Sequence, residues 1–298
     1  MTNTATPAIA FIGVGLMGHG IVGNLLKKGF AVTALDHPGN RPIDDLMALG
    51  LKTVPTIASL VANADMVFVC VSGSPEVEDV MLSPGGVLGG IKAGTIIVDC
   101  STAEPQRTIA LAKKVAAAGG TMVDAPMTRT AKEAEEGRLN VMVGGDDASI
   151  DAVMPMIEAY AENIYRCGEV GTGHKLKLIH NFLSLGNAAL IAEAVTCAEI
   201  GGVDRETFNE VMVTGGGDSV VFRRLLPYIN DGDDGNFQFA LANGEKDLRY
   251  YVDYASGLNA PHQSGSAVHG VYKDAVDAGL GDESVPHLID RMKATSGK

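Results

Sequence analysis

Six residues, Gly13-Val14-Gly15-Leu16-Met17-Gly18, have the types and spacing to hold a pyrophosphate. The first glycine permits a tight turn, the second a close approach of the backbone to the ligand, and the third close packing of a helix on a strand. In a chain with 37 glycines such a spacing arises by chance, so its surroundings decide its meaning. The motif directly follows the apolar run Ala8-Ile9-Ala10-Phe11-Ile12 and opens the segment Met17 to Lys28. If that segment is helical, its first N–H groups face the anion. The next apolar run, Ala31-Val32-Thr33-Ala34-Leu35, ends at Asp36, 23 residues beyond Gly13. A carboxylate there accepts hydrogen bonds from the adenosine ribose hydroxyls and repels a 2′-phosphate. NAD is therefore expected over NADP, with Arg41 as the cation that leaves NADP open.

The elements that must carry this turn are legible in the apolar runs. Beyond the first two, Met66 to Val71, Thr95 to Asp99, Thr121 to Asp124 and Asn140 to Val143 are apolar at consecutive positions. That pattern suits strands covered on both faces, which predicts a doubly wound, mainly parallel sheet in an α/β chain. Pro105 to Ala118 has helical spacing and stops at Gly119-Gly120. After Gly168 the composition changes. Gly171-Thr172-Gly173 leads into Leu176 to Ile200, which contains no proline and predicts a long, largely buried helix. Further helices follow, broken at Gly215-Gly216-Gly217 and at the polar stretch Asn230 to Asn236. The expected division is residues 1–168 as a Rossmann domain and residues 169–298 as a helical domain that includes the connecting helix.

At 298 residues, two cores are expected. A net charge of −13 gives no electrostatic reason to approach nucleic acid or anionic lipid. Cys70, Cys100, Cys167 and Cys197 form no Cys-x-x-Cys pair and read as buried free thiols; neither they nor the seven histidines have metal-ligand spacing. The short polar N-terminus and the lack of about 18 uninterrupted apolar residues predict a soluble, unprocessed, cytoplasmic protein.

Five motifs in order resemble the β-hydroxyacid dehydrogenase family, which includes 3-hydroxyisobutyrate dehydrogenase. They are the glycine turn with Asn24-Leu25-Leu26, then Asp99-Cys100-Ser101-Thr102-Ala103-Glu104-Pro105, then Asp124-Ala125-Pro126-Met127 followed by Gly137-Arg138-Leu139 and Met142-Val143-Gly144-Gly145. Gly171-Thr172-Gly173 with Lys177 and Asn181, and Lys246-Asp247-Leu248, complete the set. The resemblance implies a Rossmann domain, a long connecting helix, an all-helical second domain, and homodimers or homotetramers. It implies reversible hydride transfer between the nicotinamide and a hydroxyl-bearing carbon β to an acid group. Val71, Ser72 and Thr102 are implied cofactor contacts beside Gly13, Val14, Gly15, Leu16, Met17, Gly18 and Asp36. Lys246 is implied to lie along both cofactor and substrate.

Alcohol oxidation needs a group that takes the hydroxyl proton, and Lys177 is the candidate. Asn181, one helical turn on, shares its face and can bond the reacting oxygen or hold the ammonium. A lysine base needs a lowered pKa, supplied by desolvation or by a second cation such as Lys246. Glu193, in a segment expected to be buried, would demand an ion-pair partner; His180 reads as structural, and His174 and Lys175 as exposed.

Many family members continue Asp-Ala-Pro with Ser-Gly-Gly, which binds the substrate carboxylate; here the residues are Thr128-Arg129-Thr130. Thr128 keeps a hydroxyl, while Arg129 adds a bidentate cation and Thr130 another donor. This loop is similar to that of sulfolactaldehyde reductase, so a sulfonated three-carbon hydroxy compound stands beside a 3-hydroxy carboxylate or a β-hydroxy amino acid. Alternatively, Arg129 turns outward to pair with Glu133, Glu135 or Glu136. An imine reductase and a non-catalytic NAD-binding protein are the remaining readings, and retention of Lys177 and Lys246 argues against both.

Overall fold

The structure is a computed structural model and describes residues 7–296. Its contacts divide the chain into two units, one through Lys177 and one from Leu178 onward.

The strands of the first unit are β1 Ile9–Ile12, β2 Val32–Leu35, β3 Lys52–Val54, β4 Met66–Val69, β5 Ile96–Asp99, β6 Thr121–Asp124, β7 Met127–Thr128, β8 Leu139–Gly144 and β9 Ala161–Gly168. Its helices are α1 Leu16–Lys27, α2 Asp44–Ala48, α3 Ile57–Val61, α4 Ser74–Leu82, α5 Pro105–Ala117, α6 Ala131–Glu135 and α7 Asp147–Tyr160. The sheet order is β3-β2-β1-β4-β5-β6-β8-β7, with β9 also pairing β8. Pairings from β3 through β6 are parallel, β8 runs antiparallel to β6 and β7, and β9 runs parallel to β8.

Consecutive apolar residues are needed because both faces of this sheet are dry. Ile9, Phe11, Phe68, Val98 and Val123 enter one core, while their chain neighbours Ala10, Ile12, Val67, Val69, Ile97 and Met122 enter another. Alternation along each strand thus feeds two cores at once, and each large side chain so buried contributes roughly 1.5–3 kcal/mol. Three strands have no such signature. β3 is an edge strand with Lys52 exposed, β7 spans two residues, and β9 has four exposed residues of eight and no fully buried one.

The long helix α8 covers Thr172–Ile200 and starts four residues before the expected Leu176. Its residues through Lys177 group with the first unit. The second unit continues with α9 Arg205–Thr214, α10 Val220–Asp231, α11 Leu241–Gly257, α12 Gln263–Ala275 and α13 Leu288–Thr295. Leu185, Ala188, Ala189, Ala192 and Val195 of α8 pack with Phe222, Leu248, Tyr272 and Leu288 in its core. The fully buried Tyr272 donates its hydroxyl to the Leu185 carbonyl at 3.0 Å. Its ring fills the space where a side chain at Gly244 would stand, 2.7 Å from the added Cβ.

Two burial expectations are corrected here. Glu193 is exposed, because α8 buries one face and leaves Leu183 and Leu190 exposed on another. A helix apolar on all sides hides which face is covered. Of the four free cysteines, only Cys100 is fully buried; Cys70 and Cys167 are half-buried and Cys197 is exposed. Burial, then the nearby Asp99 charge, pushes the Cys70 thiol up to about 12.

Candidate active site

The glycine turn sits at the C-terminal end of β1, where strand gives way to α1. Gly13 has φ +96°, and a Cβ there would lie 2.2 Å from the Cys70 carbonyl oxygen. At Gly18 a Cβ would lie 2.0 Å from the Gly13 oxygen. These two glycines are required by the protein's own packing. Gly15 differs, since an added Cβ meets nothing within 4 Å. No side chain caps the N-terminus of α1 at Gly15. An open cradle at an uncapped helix N-terminus has the shape and polarity for a pyrophosphate.

The turn is held from behind by a loop that sequence reasoning missed. Val14 N–H donates to Asn40 Oδ1 at 3.1 Å, Arg41 N–H donates to the Val14 carbonyl at 2.9 Å, and Asn40 Nδ2 donates to the Leu35 carbonyl at 2.9 Å. Asn40 has no sequence signal beyond standing next to Arg41. Asp36 is exposed at the end of β2, and no described residue donates to its carboxylate, leaving it open to a ribose. Arg41 is exposed, its guanidinium 3.7 Å from Glu135.

At the ends of β4 and β5, Val71 N–H donates to Ser101 Oγ at 3.0 Å, and Ser101 N–H donates to Asp99 Oδ1 at 3.0 Å. This ties together the two segments that carry Val71, the exposed Ser72 and the half-buried Thr102.

The expectation that His174 is exposed is overturned: it is fully buried, whereas Lys175 is half-buried. Because α8 begins at Thr172, His174 lies in its first turn and faces inward. His174 Nε2–H donates to the Ser101 carbonyl at 3.1 Å, and its Nδ1 lies 2.8 Å from Thr108 Oγ1. Asp124 accepts N–H bonds from Gly171 at 2.6 Å and His174 at 2.8 Å. A buried carboxylate therefore caps the helix one turn before Lys177. Burial pushes the Asp124 carboxyl above its ordinary value, against the lowering effects of His174 and the two N–H bonds.

A raised folded pKa favours folding below the unfolded value, and that contribution is lost as pH rises through the folded value. Asp124→Asn should cost about 1–3 kcal/mol at pH 7, because the two N–H groups bond different carboxylate oxygens and the amide replaces one of these acceptors with an NH2 donor. Wild type should gain on the variant as pH falls from 7 towards 4. Denaturant titrations at several pH values check this, and a gap that shrinks with acid would contradict it.

Lys177 is buried at 8% exposure, and its Nζ donates to the Met127 carbonyl at 2.7 Å. Met127 directly precedes Thr128, so the ammonium is tied to the start of the altered loop. Thr128 is buried, and its hydroxyl accepts from Asn140 Nδ2 at 3.2 Å. Arg129 holds φ +82°, a conformation that favours glycine, so this chain keeps the backbone of a glycine loop with a side chain attached. Its guanidinium pairs with Glu162 and donates to the Arg138 carbonyl, not with Glu133, Glu135 or Glu136. Thr130 caps α6 in a reciprocal box with Glu133.

In the second unit Asn181 is buried, and its Nδ2 donates to Asp247 Oδ2 at 2.6 Å. His180 is exposed, with Nδ1 3.0 Å from Asn181 Oδ1. Lys246 Nζ lies 3.3 Å from Asp247 Oδ1. Asp247, 2% exposed, thus fixes both Asn181 and Lys246. Its signal was adjacency to Lys246 within the Lys-Asp-Leu motif. Among the described residues no group of three or more His, Cys, Asp or Glu is placed to hold a metal ion.

Residues 8–168 match the NAD binding domain of 6-phosphogluconate dehydrogenase, and residues 171–291 match the NAD-binding family of NADP-dependent 3-hydroxyisobutyrate dehydrogenase. The 2-(hydroxymethyl)glutarate dehydrogenase of Eubacterium barkeri is 32% identical over 290 residues, covering 97% of this chain and 96% of that protein. The cytokine-like nuclear factor N-PAC of Homo sapiens is also 32% identical, over 90% of this chain, which spans about half of that protein (48%). Among solved structures, Mycobacterium tuberculosis 3-hydroxyisobutyrate dehydrogenase with L-serine superposes with a TM-score of 0.85 at 25% identity, covering 97% of this chain and 100% of that one.

Proposed function

The chain belongs to the β-hydroxyacid dehydrogenase family and is an NAD(P)-dependent dehydrogenase acting on CH–OH groups, and from that premise we propose a small anionic β-hydroxy acid as its substrate, with Lys177 as general acid–base. The observation that carries this reading is the buried Lys177 Nζ, held 2.7 Å from the Met127 carbonyl at the entrance to the Thr128 loop. When bound, NAD would supply the hydride acceptor; the Gly13 to Gly18 turn would hold its pyrophosphate, Asp36 its ribose, and Val71, Ser72 and Thr102 would give further contacts.

In the oxidation direction a neutral Lys177 amine takes the hydroxyl proton as hydride leaves the same carbon; in reduction the ammonium returns it. The Met127 carbonyl accepts one ammonium hydrogen and orients the rest of the group. Asn181 gives one amide hydrogen to Asp247 and keeps the other for the reacting oxygen. We assign the acid group to the Thr128-Arg129-Thr130 loop and Lys246 to anionic ligand contacts. The engagement of Arg129 with Glu162 favours a carboxylate held chiefly by Thr128. A sulfonate read by Arg129 requires that ion pair to open.

Steady-state NAD reduction with 3-hydroxyisobutyrate, 2-(hydroxymethyl)glutarate, L-serine and 2,3-dihydroxypropane-1-sulfonate tests the reading. Turnover of a carboxylate is expected, sulfonate preference would transfer the assignment to Arg129, and no turnover of any anion would contradict it.

A second copy of the chain is the proposed cover for the exposed stripe of α8, which presents Leu183 at 60% and Leu190 at 64% exposure, seven residues apart on one face. Sedimentation velocity should find a dimer or tetramer at micromolar concentration that Leu190→Glu weakens at least tenfold. A wild-type monomer would remove this assignment.

A further inference from the structure

We propose that Asn140, backed by Asn163, sets the Thr128 hydroxyl as a hydrogen-bond donor to the substrate's acid group, a role that rests on the Thr128 loop being the acid-binding segment.

The three residues stand in one line across three strands. Thr128 pairs with Asn140 in the β7·β8 ladder, and Asn140 pairs with Asn163 in the β8·β9 ladder. Their side chains follow the same line: Asn163 Nδ2 donates to Asn140 Oδ1 at 2.9 Å, and Asn140 Nδ2 donates to Thr128 Oγ1 at 3.2 Å. Each amide donates towards Thr128, so the ladder has a direction.

A hydroxyl has one hydrogen and two lone pairs. With an amide N–H aimed at its oxygen, Thr128 cannot spend its hydrogen on that amide and must present it elsewhere. Asn163 supports this orientation, because its own N–H is given to Asn140 Oδ1, the atom that would otherwise attract the Thr128 hydrogen. The result is a fixed donor matched to a carboxylate or sulfonate oxygen, which only accepts.

The same edge of the sheet holds the next loop residue. Glu162, directly before Asn163, pairs with Arg129, directly after Thr128. Two consecutive residues of β9 therefore fix two consecutive residues of the loop, one through Asn140 and one directly. Asn140 and Asn163 are positioning residues that act through Thr128.

The test measures kcat and KM for the best carboxylate of the panel above, together with NAD affinity by calorimetry and thermal midpoint. Variants are Asn140→Leu, Asn140→Asp, Asn163→Leu, Thr128→Val and the double variant Thr128→Val/Asn140→Leu. Asn140→Leu is expected to raise KM about tenfold, with kcat within about twofold and NAD affinity unchanged; tenfold corresponds to about 1.4 kcal/mol. Asn140→Asp should raise KM further, because its carboxylate captures the Thr128 hydrogen. Asn163→Leu should shift KM in the same direction by a smaller factor, and serves if the Asn140 variants do not fold. In the Thr128→Val background, Asn140→Leu should add nothing. An unchanged KM in an active Asn140→Leu enzyme, or an equal loss with and without the Thr128 hydroxyl, overturns the ladder while leaving the function intact. A wild-type enzyme inert to every anion overturns the function and the ladder with it.

Discussion

Replacing Lys177 with Met is expected to lower kcat for hydroxy-acid oxidation about a thousandfold while NAD affinity stays within about threefold. A positioned acid–base group contributes roughly 10²–10⁴ in rate, and without it the hydroxyl proton has only water to accept it. Methionine approximates the volume of the lysine stem, so the main structural cost is the loss of the 2.7 Å bond to the Met127 carbonyl, about 1 kcal/mol. Lys177→Arg separates charge from proton transfer, because a guanidinium keeps the positive charge but does not give up its proton in a protein. Both variants should be inactive and both should bind NAD. An arginine variant with near-wild-type kcat would show that Lys177 acts through charge alone.

The second large effect separates the glycines of the turn from one another. Gly18→Ala places a Cβ 2.0 Å from the Gly13 carbonyl oxygen, a backbone atom that cannot rotate away, and 3.1 Å from the Phe11 ring. It should cost about 2–4 kcal/mol of stability and abolish measurable NAD binding. Gly15→Ala meets nothing within 4 Å and should leave apo stability within about 0.5 kcal/mol. It should still weaken NAD binding at least tenfold, because the methyl group occupies the space the pyrophosphate needs. Thermal unfolding with and without NAD reads both quantities. Equal NAD affinity in Gly15→Ala and wild type would remove the pyrophosphate from this cradle.

How much of this was legible in the sequence follows from where each signal resides. The strands β1, β2, β4, β5, β6 and β8 were visible because a sheet dry on both faces forces consecutive apolar residues, as in Met66-Val67-Phe68-Val69. The edge strand β3 and the partly exposed strand β9 contain no fully buried residue, so neither shows a run of consecutive apolar side chains. The residues proposed for the site are legible as types within motifs, from Gly13 to Lys246, but their hydrogen-bond partners are not. The line from Asn163 through Asn140 to Thr128 depends on register across β7, β8 and β9, two of which have no sequence signature. His174 was misread for a related reason. Gly171-Thr172-Gly173 looks like a turn, yet Asp124 caps the helix there, which draws the histidine inward. Arg129 was legible as a cation but not as the partner of Glu162, since that acid lies 33 residues away on β9.

Hydride transfer from the hydroxyl-bearing carbon of an anionic β-hydroxy acid to NAD is the step that every proposed residue role serves. The most direct measurement is the mass of the reduced cofactor formed from the preferred carboxylate of the panel, deuterated at that carbon. NADH heavier by one deuterium is expected, with label retained in full at early time. NADH that forms without deuterium would contradict it.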